Sequence, residues 1–169
     1  FGGAGDTDDT EEYDGTSWTE NNNLTTGRYG MAGLGIQTAA LCIAGGEPNI
    51  DSVEQYDGSS WSEEPDINTA RSATEGVGTT TAAIVVAGNP GPGVSAITES
   101  WNGSAWTEVG DLMTGRFKHG VIGTSTEAVA FGGYDGSAQT AKAEAWDGTV
   151  WSTSPTMNTA RDGMASAGT

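Results

Sequence analysis

Apolar residues in this chain gather in short runs that close on glycine: Leu41-Cys42-Ile43-Ala44 before Gly45-Gly46, Ile84-Val85-Val86-Ala87 before Gly88, and Val129-Ala130-Phe131 before Gly132-Gly133. Phe1-Gly2-Gly3 has the form of the tail of another such run. The runs are continuous rather than alternating, which predicts strands covered on both faces. Each complete run follows a stretch opened by an arginine, as in Arg28-Tyr29-Gly30-Met31-Ala32-Gly33-Leu34, whose glycines predict a strand in a crowded place. A polar segment comes next, then a third strand ending on an aromatic, as in Val53-Glu54-Gln55-Tyr56. Asp-Gly or Asn-Gly follows and predicts a two-residue hairpin, because both positions tolerate positive φ; the fourth strand carries a Trp.

The hairpin signal occurs four times, as Tyr13-Asp14-Gly15 to Trp18, Tyr56-Asp57-Gly58 to Trp61, Trp101-Asn102-Gly103 to Trp106 and Trp146-Asp147-Gly148 to Trp151, at spacings of 43, 45 and 45 residues. An Arg stands ten residues after each Trp, namely Arg28, Arg71, Arg116 and Arg161, and a Gly seven residues beyond each Arg, at Gly35, Gly78, Gly123 and Gly168. Four short antiparallel strands at this period predict an all-β fold, a β-propeller of four-stranded antiparallel blades. Residues 28–70, 71–115 and 116–160 are then whole blades. Residues 1–27 are a split blade holding the end of strand two with strands three and four, and 161–169 the first strand of a further or closing blade. The chain opens inside a repeat and without Met, so we expect a segment of a longer array, with other blades or neighbouring chains completing the ring.

A glycine doublet after an apolar strand, an aromatic about ten residues on, a Trp close behind it and an Arg opening the next unit resemble the kelch family. The resemblance covers essentially the whole chain. It departs in the Tyr-to-Trp spacing, shortened to five, and in Gly88-Asn89 where a doublet is expected. The wording Trp101-Asn102-Gly103-Ser104-Ala105-Trp106 followed by Met113-Thr114-Gly115-Arg116 is also similar to degenerate kelch-like arrays of tailed-bacteriophage virion and fibre proteins. That second resemblance implies an extracellular or virion location. It implies a host-surface glycan or protein, or other virion subunits, as partners, within an oligomeric assembly.

Charge narrows the partners. Six Lys and Arg against 23 Asp and Glu give a net charge of −17, which repels phosphate backbones, so nucleic acid is not expected. No apolar run approaches the roughly 20 residues that span a bilayer, and membrane insertion is not expected either. The single cysteine, Cys42, sits in an apolar run and reads as a small buried thiol.

The four arginines invite a carboxylate-binding reading. A Glu, however, recurs two residues before each motif aromatic, at Glu11, Glu54, Glu99 and Glu144, so each unit carries its own partner and structural pairs are the stronger reading. The same argument weakens a sialidase-like reading, since every Arg is accounted for by the repeat. Trp18, Trp61, Trp106 and Trp151 recur at equivalent places and read as packing rather than as sugar-stacking platforms. His119 is the lone histidine and lacks the companions a metal centre needs. Asp6, Asp8 and Asp9 concentrate hard oxygen ligands of the kind Ca²⁺ takes, but without ordered spacing, so a solvated loop is preferred. No catalytic residue and no cofactor is assigned, with Ca²⁺ the one alternative.

What does not keep step is the segment between strands two and three. From the first doublet glycine to the aromatic the distances are 11, 11, 13 and 14 residues, and the variation falls in 4–10, 47–52, 89–98 and 134–143. These loops share a face with the interblade linkers, and loops on a rigid scaffold are where recognition concentrates. Asn49, Asp51, Tyr134 and Asp135 are the candidate ligand-binding residues. The reading is a non-enzymatic structural or adhesion module; its alternatives are a spacer that binds only other subunits and, less favoured, a glycan-active enzyme.

Overall fold

The computed structural model describes residues 1–164 and Ser166, and it is built from strands alone among those residues. β1 (Thr10–Tyr13) and β2 (Trp18–Asn21) form a two-stranded sheet. Three four-stranded antiparallel meanders follow. They are β3 (Ala32–Ile36), β4 (Ala39–Gly45), β5 (Ile50–Tyr56) and β6 (Trp61–Glu64); β7 (Glu75–Thr79), β8 (Ala82–Gly88), β9 (Ser95–Trp101) and β10 (Trp106–Glu108); and β11 (Gly120–Gly123), β12 (Ala128–Phe131), β13 (Ala143–Trp146) and β14 (Trp151–Ser154). Each sheet lies inside one repeat unit.

The apolar runs form the second strands, and both their faces are used. Ala83 and Val85 of β8 join Leu41, Ile43, Val53 and Trp106 in one buried cluster, while Ile84 and Val86 join Val77, Val121, Ala130 and Trp151 in another. The core is therefore a set of layers between blades, not one central mass. Continuous hydrophobic strands are what such double coverage requires.

The first strands β3, β7 and β11 neighbour one another around the centre. Their starts are joined by main-chain bonds: Ala73 N–H donates to Gly30 O, Lys118 N–H to Ala73 O, and Gly163 N–H to Lys118 O. All four equivalent residues are left-handed, with φ of 62° at Gly30, 50° at Ala73, 53° at Lys118 and 65° at Gly163. Ala73 and Lys118 hold this unfavourable backbone conformation at the residues that carry the inter-blade bonds.

Two expectations are corrected in detail. The hairpins are four-residue loops, not two-residue turns. Tyr13 pairs with Trp18, Tyr56 with Trp61, Trp101 with Trp106 and Trp146 with Trp151. Only the glycine takes positive φ, because the Asp or Asn side chain caps the loop itself: Asp57 Oδ1, for instance, accepts from the amides of Ser59 and Ser60, both at 2.8 Å. The doublet is also offset by one in the second and third copies. Gly3, Gly45, Gly88 and Gly133 donate to the carbonyls of Arg28, Arg71, Arg116 and Arg161, so the equivalent pairs are Gly2-Gly3, Ala44-Gly45, Ala87-Gly88 and Gly132-Gly133. The first member is left-handed in every copy, with alanine at φ 60° in Ala44 and 53° in Ala87. A Cβ on Gly88 would lie 2.9 Å from Ser72 O, which is why the second member stays glycine. The expected first strand of the unit opened by Arg161, with Gly168, lies outside the described residues.

Candidate functional site

The arginines that open the three whole blades, Arg28, Arg71 and Arg116, are fully buried cross-ties. The Arg28 guanidinium donates to Thr26 O at 3.1 Å in the preceding linker, to Ala44 O and Ser52 O, and to Glu54. Arg116 repeats the pattern with Thr114 O, Gly132 O, Lys142 O and Glu144. Arg71 bonds Thr69 O, Ala87 O and Glu99 Oε1, the last at 2.6 Å. The glutamates reach on to the linkers: Glu54 accepts from Thr25 N–H, Glu99 from Asn68 N–H and Glu144 from Met113 N–H. Both ions of each pair are removed from water, and these additional bonds satisfy most of the lone pairs and protons that remain, Arg71 Nη2 being left without a partner among the described residues. Glu11 and Arg161 depart from this reading. Both are exposed, and neither forms an ion pair among the described residues.

The tryptophans pack between blades. Trp61 Nε1 donates to Thr10 Oγ1 and Trp151 Nε1 to Thr98 Oγ1, each at 3.0 Å and each in the blade before. At the equivalent place Trp106 meets Val53, and its buried Nε1 has no hydrogen-bond partner. Trp18 is 67% exposed.

The variable loops lie against the linkers and define one face. Arg28, Arg71, Arg116 and Arg161 N–H donate to the carbonyls of Thr7, Ile50, Ser95 and Thr140 in those loops. The capped hairpins sit on the opposite face against the turns between strands one and two, as when Trp101 Nε1 donates to Thr80 O. Of the four candidates on the loop face, Asp51 presents an exposed side chain. Asn49 is instead a tie, donating from Nδ2 to Asn89 O at 2.8 Å in the next blade. Asp135 caps a fifth copy of the hairpin: the Ala138 amide, with the Ser137 hydroxyl and amide, holds its carboxyl at about 2. Tyr134 closes this fifth turn opposite Gln139 and rests on Phe117, ring centres 5.5 Å apart. Asp51 and the Tyr134–Asp135 pair belong to different blades, so they are two patches rather than one constellation.

Sequence reasoning missed what joins Tyr134. Lys118 Nζ lies 5.7 Å from the Phe117 ring centre. Lys118 lines a recess of about 340 Å³ together with Tyr29, Met31, Ser72, Thr74 and Glu75 among others. The signal was present, since Phe117-Lys118 stands where the other units have Tyr29-Gly30, Ser72-Ala73 and Asp162-Gly163. Glu75 also lines a second pocket with Leu34, Val77 and Val121, and burial pushes its carboxyl up to about 7.

The remaining candidates are dispersed. Asp6, Asp8 and Asp9 are exposed, and no three His, Cys, Asp or Glu side chains converge as a metal site among the described residues. That loop contributes main-chain carbonyls to the linker instead, Asp8 O accepting from Leu24 N–H. Cys42 is fully buried, its thiol pushed to about 12 by burial. His119 is packed at the start of β11, where burial and then Arg116 hold it down at about 3.

Four-stranded meanders set side by side with their first strands innermost are the blades of a β-propeller. Among solved structures the chain is similar to one described as "Structure of YjhT", with 13% identity and a TM-score of 0.72 over 88% of this chain and 58% of that one. The likeness shows the fold; this chain spans little more than half of the neighbour's length. No protein-family model matches the chain, and no curated protein does.

Proposed function

We propose that this chain is a kelch-like recognition module of a virion or cell-surface assembly, which uses its loop face to bind a host glycan or protein. The observation that carries the reading is the division of labour between residues. The repeating Arg28, Arg71 and Arg116 are buried with Glu54, Glu99 and Glu144 in cross-ties, whereas length and sequence vary in the loops between strands two and three. A scaffold fixed in this way holds variable loops in place for a partner. The net charge of −17 suits salty surroundings, where screening softens self-repulsion. Kelch membership and a phage setting rest on the repeat's wording; the adhesion role rests on the loops.

The test is adhesion to host cells and binding to a glycan array by Asp51→Ala, Lys118→Ala and Tyr134→Ala, with unfolding followed in parallel. Substitution of Asp51 or Lys118, both exposed, is expected to reduce binding about tenfold or more and leave the unfolding midpoint unchanged, the size expected for a well-placed contact at a recognition centre. Full binding by all three variants contradicts the loop-face role.

A further inference from the structure

Among the capped hairpin loops, one differs chemically from the rest. Asp14, Asp57, Asp135 and Asp147 each accept from the amides two and three residues on and from the hydroxyl two residues on. Asn102 does the same with a carboxamide: its Oδ1 accepts from Ser104 N–H, the Ser104 hydroxyl and Ala105 N–H, each at 2.9 Å. Two of these donors are main-chain amides, so the oxygen of the side chain and not its nitrogen must face them. Asn102 Nδ2 and the Gly103 amide have no hydrogen-bond partner among the described residues, and residues 102–105 are exposed. Asn102 is also the only asparagine in the chain that glycine follows.

These are the parts of an intramolecular acyl transfer. The Gly103 nitrogen is near enough along the chain to close a succinimide ring on Asn102 Cγ, and glycine has no side chain to obstruct it. As the nitrogen adds, negative charge develops on Oδ1, where the three donors already point, so the cap of the turn has the form of an oxyanion hole. The Asp copies resist the same closure, which needs a protonated carboxyl. Their donors hold those carboxyls low, Asp14 at about 2 through the Thr16 hydroxyl first and then the Ser17 and Thr16 amides.

We propose that the folded hairpin converts Asn102 to an aspartate without an enzyme. The Gly103 nitrogen gives up its proton and bonds to Asn102 Cγ, the Cγ–Nδ2 bond breaks, and ammonia leaves carrying that proton. Water then adds to the ring at Cγ, the bond from Cγ to the Gly103 nitrogen breaks, and the Gly103 N–H is restored beside a new carboxylate. The net change exchanges a carboxamide and a water for a carboxylate and an ammonium ion. Addition of water at the main-chain carbonyl carbon would give isoaspartate instead. The donors at Oδ1 favour addition at Cγ, because its charge falls on that same oxygen. The product is the cap that the other loops already have, and a charged acceptor strengthens all three bonds. The reaction lies on the hairpin face and is independent of the loop-face reading.

Peptide mass spectrometry of the 169-residue chain tests it, with the chain held at mildly alkaline pH, folded and in urea, and aspartyl and isoaspartyl peptides separated. Asn102 is expected to convert several-fold faster in the folded chain than in urea, with aspartate in excess of isoaspartate. In urea, where the donors are lost, isoaspartate is expected to predominate. Ser104→Ala, at an exposed position, is expected to slow conversion in the folded chain about tenfold, less than the roughly 100-fold loss of an enclosed oxyanion donor because water competes here. Asn102→Asp is expected to unfold at the wild-type urea midpoint or above it. Conversion no faster in the folded chain than in urea overturns the proposal, as do isoaspartate in excess in the folded chain, a wild-type rate in Ser104→Ala, or a lowered midpoint for Asn102→Asp.

Discussion

At the scale of single residues, the side chains that looked chemically active are mostly engaged in structure. His119 is fully buried, and neither ring nitrogen has a hydrogen-bond partner among the described residues. Its folded pKa of about 3 lies below the ordinary 6.5, so the unfolded chain takes up the proton first. The stability it preserves is intact above 6.5 and is lost as pH falls toward 3. Met occupies the equivalent place at Met31 and Met164, so His119→Met should fold without this penalty. Its urea unfolding free energy, relative to wild type, is expected to improve by about 2 kcal/mol between pH 7 and pH 5, the linkage of one group over the interval below 6.5. An unchanged difference between the two proteins over that range refutes the assignment. Sequence spacing revealed that Arg and Glu recur together. It did not show that Arg161 and Glu11 go without ion pairs among the described residues, because the pairing runs from an arginine forward to the third strand of its own unit, 26 or 28 residues on.

At the scale of elements, the period was legible and the loop geometry was not. Trp-to-Arg and Arg-to-Gly distances are fixed because each joins groups held across a blade boundary. The hairpins were misread because Asp-Gly is a signal shared by two-residue turns and by longer loops that the Asp side chain caps, and only the amides of Thr16 and Ser17, or their equivalents, distinguish them. The doublet was misplaced by one because Ala44 and Ala87 take a left-handed conformation that sequence habit reserves for glycine. The most informative irregularity is Val53. Where it replaces the Thr of the other inter-blade contacts, Trp106 Nε1 is buried without an acceptor, although Trp61 and Trp151 reach Thr10 and Thr98. Val53→Thr is therefore expected to stabilise the protein by about 1 kcal/mol in urea unfolding, the net worth of one buried hydrogen bond. A destabilised variant contradicts the equivalence of the three contacts.

At the scale of the whole molecule, the blades are held by layers of apolar side chains between sheets and by buried ion pairs that tie each sheet to the linker before it. The fold class was readable from four copies of one pattern. The central recess beside Lys118 and Glu75 was not, since it exists only where the first strands of several blades meet. The central claim is that the repeated charged residues are scaffold, which frees the loops for recognition. Urea unfolding of Glu99→Ala tests it most directly, because both Glu99 and Arg71 are fully buried and Arg71 Nη2 already lacks a partner. The predicted result is a loss of about 3–5 kcal/mol, the cost of leaving a buried guanidinium without its carboxylate. A loss below about 1 kcal/mol, the size typical of an exposed pair, would contradict it.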